Sequence, residues 1–484
     1  MTALLLPWRW NLAACRIGPI IGLAVLCGCA RYHPRPLDAP RLEKDYRGRS
    51  LATEDLRAYV ESNVTPKPSE WPPAALDLPL ATAVAFYYNP EIEVARARIE
   101  TAEAAVVTAG GRVNPSLNTG GGYANNPDSA LVFHFDLTFT IETAGKRALR
   151  VLQARKLAEA ARTELAATAW RVRSRVRGAL LAHLFADRRL ALLQGEVAVR
   201  TESLELLKKR LEVGEVSRPD VTAAEIESST AAVALRTAEG QVVETRAALA
   251  AAVGVPIDVL GALPVRWQDA DAPPAPDGLP LEKVQEAGLL HRADVRRSLL
   301  EYAAAEAALR LEIAKQYPDI DLNPGYGFDE AHHKITFGPA FALPVFNRNK
   351  GPIAEAEARR QEGAALFTAL QAQAIAEMEA SLARYRTALA EFDEADRRLV
   401  QLQQGKEESV RRALAAGEED RLALAGARVE SAVAARVRLD VLERAQAAFG
   451  ALEDAVQQPL ATGAALPAVT MKSPRGTTGK GDLP

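Results

Sequence analysis

Two hydrophobic periods alternate along this chain, one of two residues and one of about three and a half. From Leu131 to Ile141 the apolar residues Leu131, Phe133, Phe135, Leu137, Phe139 and Ile141 are interleaved with His134, Asp136, Thr138 and Thr140. A period of two predicts a β-strand. At roughly 3.3 Å per residue, the run is long enough to cross an outer-membrane hydrocarbon layer when tilted. A soluble, half-buried strand shows the same alternation, so the run needs a second witness. The other period dominates the stretch after it. Leu165, Ala169, Val172, Val176 and Ala179, then Leu193, Val197, Leu204, Leu207 and Leu211, recur in steps of four and three. That is a coiled-coil seam, and its alanines permit close packing.

The second witness is an internal duplication. Asn89-Pro90-Glu91-Ile92 lies over Arg292-Ala293-Asp294-Val295, Pro115 over Pro318, and Gly214-Glu215 over Gly417-Glu418, always at one spacing. Repeat 1 spans 80–254 and repeat 2 spans 281–458. Each predicts a helix ended by proline, a β-hairpin (116–141; 320–343), a long helix (146–213; 351–416) and a shorter helix (219–253; 420–456). The second hairpin alternates through Leu322, Pro324 and Tyr326, then Ile335, Phe337, Pro339 and Phe341. The long helices would each run to about 100 Å, and the two shorter helices of a repeat could stack end to end beside them. Between the repeats, 255–280 carries Pro264, Pro273, Pro274 and Pro276 and reads as a linker outside the core. Residues 459–484 lack periodicity and predict a disordered tail.

Helices this long exclude one compact globule. Four strands per chain are also too few to close a barrel, and unpaired strand edges in lipid would cost several kcal/mol per orphaned amide. The pattern therefore predicts an α+β membrane protein that oligomerises through its strands.

Composition fits long helices: 48% of the 484 residues are hydrophobic but only 6% are aromatic. The net charge of -3 provides no basic field for nucleic acid. No uninterrupted apolar run of about eighteen residues follows the N-terminal leader, so strands must do any crossing of a bilayer. The leader is read as 1–28: Arg9 and Arg16 precede the apolar run from Ile17, which closes with Leu26-Cys27-Gly28-Cys29. This resembles a bacterial lipobox, which implies acylation at Cys29 and a lipid-anchored, proline-rich arm over 29–79; Ala30 after the cysteine implies transfer to the outer membrane. A plain secretory leader is the alternative. All three cysteines (Cys15, Cys27, Cys29) lie here, so a chain starting at Cys29 has no partner for a disulfide.

The duplicated plan and lipobox, with Glu142-Thr143-Ala144-Gly145-Lys146-Arg147 and Leu343-Pro344-Val345-Phe346-Asn347-Arg348-Asn349-Lys350-Gly351 at the junctions from strand to long helix, resemble the TolC family of outer-membrane efflux factors. Within it they are most similar to the CzcC-type heavy-metal branch. The resemblance implies a homotrimer whose twelve strands form a barrel continued by an α-helical barrel across the periplasm. It further implies a periplasmic adaptor and an inner-membrane RND-type pump as partners, outer-membrane lipid around the strands, and no catalysis.

The turns at the far ends of the long helices, 212–220 and 415–421, are equivalent in the duplication. Gly214 and Gly417 can take the left-handed conformation that ends a helix, while Ser217 and Asp420 can cap the next one. By resemblance these turns are also the adaptor-contacting, pore-closing tips, with Gly214, Ser217, Asp220, Gly417, Glu418, Glu419 and Asp420 as candidate residues. Family channels often carry acidic residues just inside the second tip, where this chain has Ala423 and Gly426. Asp220, Glu418, Glu419 and Asp420 could still form an acidic entrance, or simply solvated helix ends.

His332-His333, beside Asp329 and Glu330, is the only adjacent histidine pair; neighbouring side chains on a strand diverge, so no metal site is assigned. His134 should line water and His183 should pack on the long-helix seam. No nucleophile elbow, phosphate loop or zincin pair is present, which argues against an enzyme, and no cofactor is implied. The rival reading is a periplasmic adaptor or coiled-coil scaffold lipoprotein. Adaptors, however, carry one hairpin of helices, whereas this chain has two equivalent halves.

Overall fold

The computed structural model describes residues 32–65, 67–68, 70–123, 131–261, 263–267, 270–275, 281–329, 332–460, 467, 469–471 and 473–474. The expected leader and Cys29 lie outside these residues. The chain divides into two units, Met1–Gly48 and Arg49–Pro484. In the first, α1 (Ala39–Arg47) begins where the Asp38 carboxylate accepts the Arg41 amide at 3.1 Å.

The second unit opens with α2 (Glu54–Asn63), whose Leu56, Tyr59 and Val60 are buried in the main core. Two helices, α1 and α2, lie within the proline-rich arm. Pro40 stands at the start of α1, where its missing N–H is not needed, and α2 is proline-free and has an apolar face to bury.

Repeat 1 contains α3 (Leu78–Tyr88), α4 (Pro90–Gly110), β1 (Ser116–Tyr123), β2 (Leu131–Ile141), α5 (Lys146–Glu212) and α6 (Arg218–Val253). The single helix read before the hairpin is two helices, because Pro90 restricts Asn89 to extended backbone (φ −67°, ψ 125°). The Asn89 side chain accepts the Glu91 amide at 2.9 Å and so caps α4. After α7 (Ile257–Leu260), repeat 2 contains α8 (Leu281–His291), α9 (Ala293–Ala314), β3 (Ile320–Asp329), β4 (His332–Ala340), α10 (Lys350–Glu394), a π-helical turn (Ala395–Val400), α11 (Gln401–Ala416) and α12 (Arg421–Val456). The second long helix is thus interrupted by one wide turn, and β4 ends three residues before the expected Leu343.

The duplication holds at the joints. Asn89 Nδ2 donates to the Ala252 carbonyl at 3.2 Å; at the equivalent positions Arg292 Nη1 donates to the Ala455 carbonyl at 3.0 Å. Gly254 ends α6 with φ +86°, and its counterpart Gln457 ends α12 with φ +54°. Gln457 then uses its side-chain oxygen to accept the Ala293 amide at 2.8 Å.

In repeat 1, α3 and α4 follow one another along α5, with α6 beside its far half. Leu165, Ala169, Val172, Val176 and Leu180 of α5 are buried against Leu249 and Val253 of α6 and the aromatic residues of α3. Residues 255–275 depart from the linker reading. Val255, Leu260 and Ala270 are buried, Leu76 bridges to Val265, and Tyr385 donates its hydroxyl to the Pro274 carbonyl. The described part of the tail is also ordered against α4: Arg96 Nε donates to Thr470 O at 3.0 Å and Ser473 Oγ to Glu93 Oε1 at 3.0 Å. Proline-rich composition did not reveal these contacts because backbone carbonyls, present in any sequence, make several of them.

The repeats meet along α5 through an apolar cluster, in which Leu181 and Phe185 pack with Phe392, Leu439 and Leu442, and through charge. Arg173 and Arg177 approach Glu453 at 3.2 and 3.4 Å, with all three side chains almost wholly buried. Trp170 Nε1 donates to Asp454 at 2.9 Å. Further along, Arg189 meets Asp440 and Glu443 at 2.7 and 2.8 Å, and Glu196 meets Arg436 at 2.9 Å. Removing one partner of a buried pair strands the other. Glu453→Ala should therefore lower stability by about 3–5 kcal/mol, which denaturant unfolding followed by far-UV circular dichroism would read.

Candidate functional site

Two regions carry the candidate chemistry, the sheet and the helix tips. The four strands form one antiparallel sheet in the order β1-β2-β3-β4. Alternation sends one set of side chains to each face. Phe133 pairs with Phe328, Phe135 with Tyr326, Phe139 with Leu322, and Leu322 in turn with Pro339, so these share a face. Phe133 and Phe328 stack with centroids 5.7 Å apart. Phe133, Phe135, Leu137, Phe139, Ile141, Ile335 and Phe337 remain exposed, forming an apolar band on that face. The other face is polar, with Asn118, His134, Asp136, Thr138, Thr140, Asn323 and Thr336; Thr140 Oγ1 donates to Asp321 at 2.6 Å. The outer edges of β1 and β4 have no strand beside them among the described residues.

Glycines clear space on the polar face. A Cβ at Gly325 would collide with the Asp136 carboxylate and the Thr336 hydroxyl, and one at Gly120 with the His134 ring, whereas one at Gly122 would meet nothing within 4 Å.

The two junction motifs anchor strands to helices. Lys146 is buried and donates Nζ to the Tyr317 carbonyl at 2.6 Å and to Asp319 at 2.7 Å; Asp319 also accepts the Thr143 amide at 2.9 Å. Gly145 precedes α5 with φ +70°, and Asn349 precedes α10 with φ +59° while its amide donates to the Glu312 carbonyl at 2.7 Å. These contacts tie the base of the first hairpin to the segment between α9 and β3, and the base of the second to α9.

At the far end, Gly214 (φ +79°) and Gly417 (φ +76°) close α5 and α11 in the left-handed region. The Asp220 carboxylate accepts the Ser217 amide at 2.9 Å and the Ser217 hydroxyl at 2.5 Å. Those two bonds hold the Asp220 carboxyl below its ordinary range. Asp420 Oδ1 accepts the Ala423 amide at 2.8 Å and Oδ2 pairs with Arg210 of α5, which together hold the Asp420 carboxyl low. Arg210 also stands 3.8 Å from Glu215. One guanidinium thus links the two turns, while Glu418 and Glu419 are exposed. The sequence reading missed Arg210. A basic residue in the last turn of a helix is legible as a partner of the helix dipole, but its pairing with Asp420 depends on how the repeats pack. Asp220 is held within its own turn and does not join that link.

Among the described residues no group of three or more His, Cys, Asp or Glu side chains is placed to hold a metal. Nδ1 of His333 lies 2.6 Å from the Tyr326 hydroxyl. His183 is buried on α5 with Nδ1 3.1 Å from Thr245 Oγ1, and burial pushes its pKa down. No described helix is long and apolar enough to cross a membrane.

Comparison with known proteins gives the fold. A family model described as Outer membrane efflux protein matches residues 85–255, which corresponds to repeat 1. No curated protein sequence matches significantly. Among solved structures, the outer membrane protein VceC of Vibrio cholerae superposes with a TM-score of 0.63 at 22% identity, covering 79% of this chain and 96% of that one. CusC, described in terms of folding and transmembrane channel formation, has a TM-score of 0.65 at 17% identity over 89% of this chain and 99% of that one. The Campylobacter jejuni CmeC outer membrane channel has a TM-score of 0.61 at 15% identity, covering 89% and 90%. The chain therefore has the fold of these outer-membrane channels: long helices bearing a small antiparallel sheet.

Two changes test these regions. Gly325→Val should block assembly of the heat-modifiable species on SDS gels, whereas Gly122→Val should leave it intact. At the second tip, a carboxyl lowered on folding contributes stability that is complete above its ordinary value of 3.8 and is lost as pH falls through the lower folded value. Asp420→Ala should cost about 1 kcal/mol of cap stability at neutral pH, seen as faster amide exchange at the start of α12, and should abolish that acid dependence.

Proposed function

We propose that the chain is the protomer of a homotrimeric outer-membrane channel that passes substrates outward in a tripartite efflux system. The observation that carries this reading is the four-stranded sheet, with a continuous exposed apolar face, a polar opposite face and two open edges, mounted on helices that run to about 100 Å (67 residues in α5). Three such sheets joined edge to edge give twelve strands, enough to enclose a polar lumen. The shared channel fold and the match of repeat 1 to the efflux-protein family support it.

The finer elements of the reading follow from the sequence. Acylation at Cys29 adds a lipid anchor in the outer membrane. The turns carrying Gly214, Ser217, Asp220, Gly417, Glu418, Glu419 and Asp420 are the periplasmic tips, which meet an adaptor bound to an inner-membrane RND-type pump. Heavy-metal cations are the substrate class suggested by the resemblance to the CzcC-type branch. Exposed Glu418 and Glu419 place negative charge at the mouth, which favours cations. An adaptor or scaffold role would leave the exposed band of the sheet without a purpose, since such proteins need no lipid-facing hairpins.

Purified in detergent and placed in a planar bilayer, the full chain should give discrete single-channel currents. Glu418→Gln with Glu419→Gln should shift the reversal potential toward lower cation selectivity. A water-soluble protein that opens no conductance would overturn the reading. Shortening both tips should abolish adaptor co-purification while leaving the trimer; unchanged adaptor binding would remove the tips from the interface.

A further inference from the structure

The polar face of the sheet carries few charges, and their places along it differ. Among the described strand residues, register puts Asp136, Asp321, Asp329 and Lys334 on that face, with His134 and His332. Three carboxylates thus stand against one ammonium. At the loop end, Asp329 pairs with His332 and Lys334 is one pleat further on, so opposite charges lie close and their fields partly cancel. At the base, Asp321 accepts the Thr140 hydroxyl at 2.6 Å. Asp136 lies between these ends, and the residues beside it in register are uncharged: Asn118 on β1, Gly325 on β3 and Thr336 on β4. Among the described residues its carboxylate has neither a hydrogen bond nor an ion pair.

Missing side chains make room for that carboxylate. A Cβ at Gly325 would overlap Asp136 Oδ1 and crowd Thr336 Oγ1, so the Asp136 side chain lies across β3 with a hydroxyl near it. Asn118, Thr138, Asn323 and Thr336 line an open recess of about 510 Å³ with it. Gly122 and Gly338 widen the same face, since a Cβ at either would meet nothing within 4 Å. Hydroxyls, amides and one carboxylate are what a solute meets there, and no cationic side chain lines the recess. One carboxylate with neutral oxygens is too little for a closed metal site, so ions would pass it rather than stay.

We propose that Asp136 sets the charge preference of the strand-lined part of the channel. Three copies place three such carboxylates at one level of the lumen, and these admit cations ahead of anions. This rests on the channel reading, which makes the polar face the lumen wall. It deepens that reading by adding a selective element at the opposite end of the long helices from Glu418 and Glu419. Rings of acidic side chains act on permeating ions through their field, which walls of low dielectric concentrate. A unit charge about 10 Å from an ion in water changes that ion's local concentration about twofold. In a lumen of twelve strands the result is a preference and not an absolute filter.

The test measures the reversal potential of the full chain in a planar bilayer, under a KCl gradient at low salt and about pH 8, where histidine is uncharged. Glu418 and Glu419 stay in place. Asp136→Asn, which keeps the shape of the side chain, should lower the potassium-to-chloride permeability ratio about twofold, and Asp136→Lys should lower it further. Thr138→Asn, one pleat along the same face, should leave the ratio unchanged. Because no cysteine follows Cys29, Asp136→Cys can be labelled in the assembled channel, which separates charge from folding. A sulfonate-bearing thiosulfonate should restore the ratio, and a trimethylammonium-bearing one should depress it. The differences should fade at about 1 M salt, where the screening length is about 3 Å. A conducting wild type whose ratio survives Asp136→Asn, with neither label altering the cysteine variant, would overturn the proposal and leave the channel reading standing. A wild-type chain that opens no conductance would instead remove the channel reading, and the proposal with it.

Discussion

On the proposed channel reading the strands lie in hydrocarbon, where backbone amides have no water to turn to, and that constraint organises the rest of the structure. β2 and β3 satisfy one another and their outer neighbours, but among the described residues β1 and β4 each leave a row of donors and acceptors open. The side chains on one face are greasy enough to meet acyl chains, yet the edges are not fit to do so. On that reading the sheet is complete only when another copy supplies the next strand. The short length of the strands follows from the same setting, since a tilted span of the layer needs only about ten residues.

The helices answer a different requirement. The sheet buries little surface of its own, most of its apolar residues being exposed, and the junction residues tie it to the helical part of the chain. Lys146 and Asp319 bind the end of one hairpin to the start of the other, so the strands inherit their register from the helical pairs beneath them. Farther along, stability comes from two sources that differ in kind. Within each repeat the seam is aliphatic and aromatic, with Val172, Val176 and Leu180 fully buried. Between repeats an apolar cluster of Leu181, Phe185, Phe392, Leu439 and Leu442 is joined by buried charge, and Arg173, Arg177 and Glu453 are satisfied by one another and by the Gln446 carbonyl. Charges of this kind contribute less to net stability than to the choice of partner, since a misaligned repeat would leave them unpaired.

The tips are built lightly by comparison. Their glycines take positive φ, their caps are single carboxylates, and the one link between them is the Arg210 pair with Asp420. Few apolar side chains are buried there, so local opening costs little. On the proposed channel reading, this contrast between a heavily packed middle and a lightly held end suits a conduit firm through its wall and adjustable at its mouth.

Much of this plan was legible in one dimension. Period two in 131–141 and its counterpart, the four-three seam of α5, and the fixed spacing from Gly214 to Gly417 determined the strands, the long helices and the duplication, because each depends only on which side chains lie a turn or a pleat apart. Helix capping at Ser217 and Asp420 was readable for the same local reason. Tertiary structure alone decided the rest. The described residues of 49–79 and 255–275 are packed through side chains such as Leu56, Tyr59, Val60 and Leu260 and through backbone carbonyls that leave no trace in side-chain pattern. The charges of α5 could have faced solvent, and only the packing of repeat 2 against repeat 1 showed that Glu453 neutralises two of them and that Arg210 reaches Asp420. Those contacts join residues more than two hundred positions apart, and no periodicity along a chain encodes which distant surface a helix face will meet.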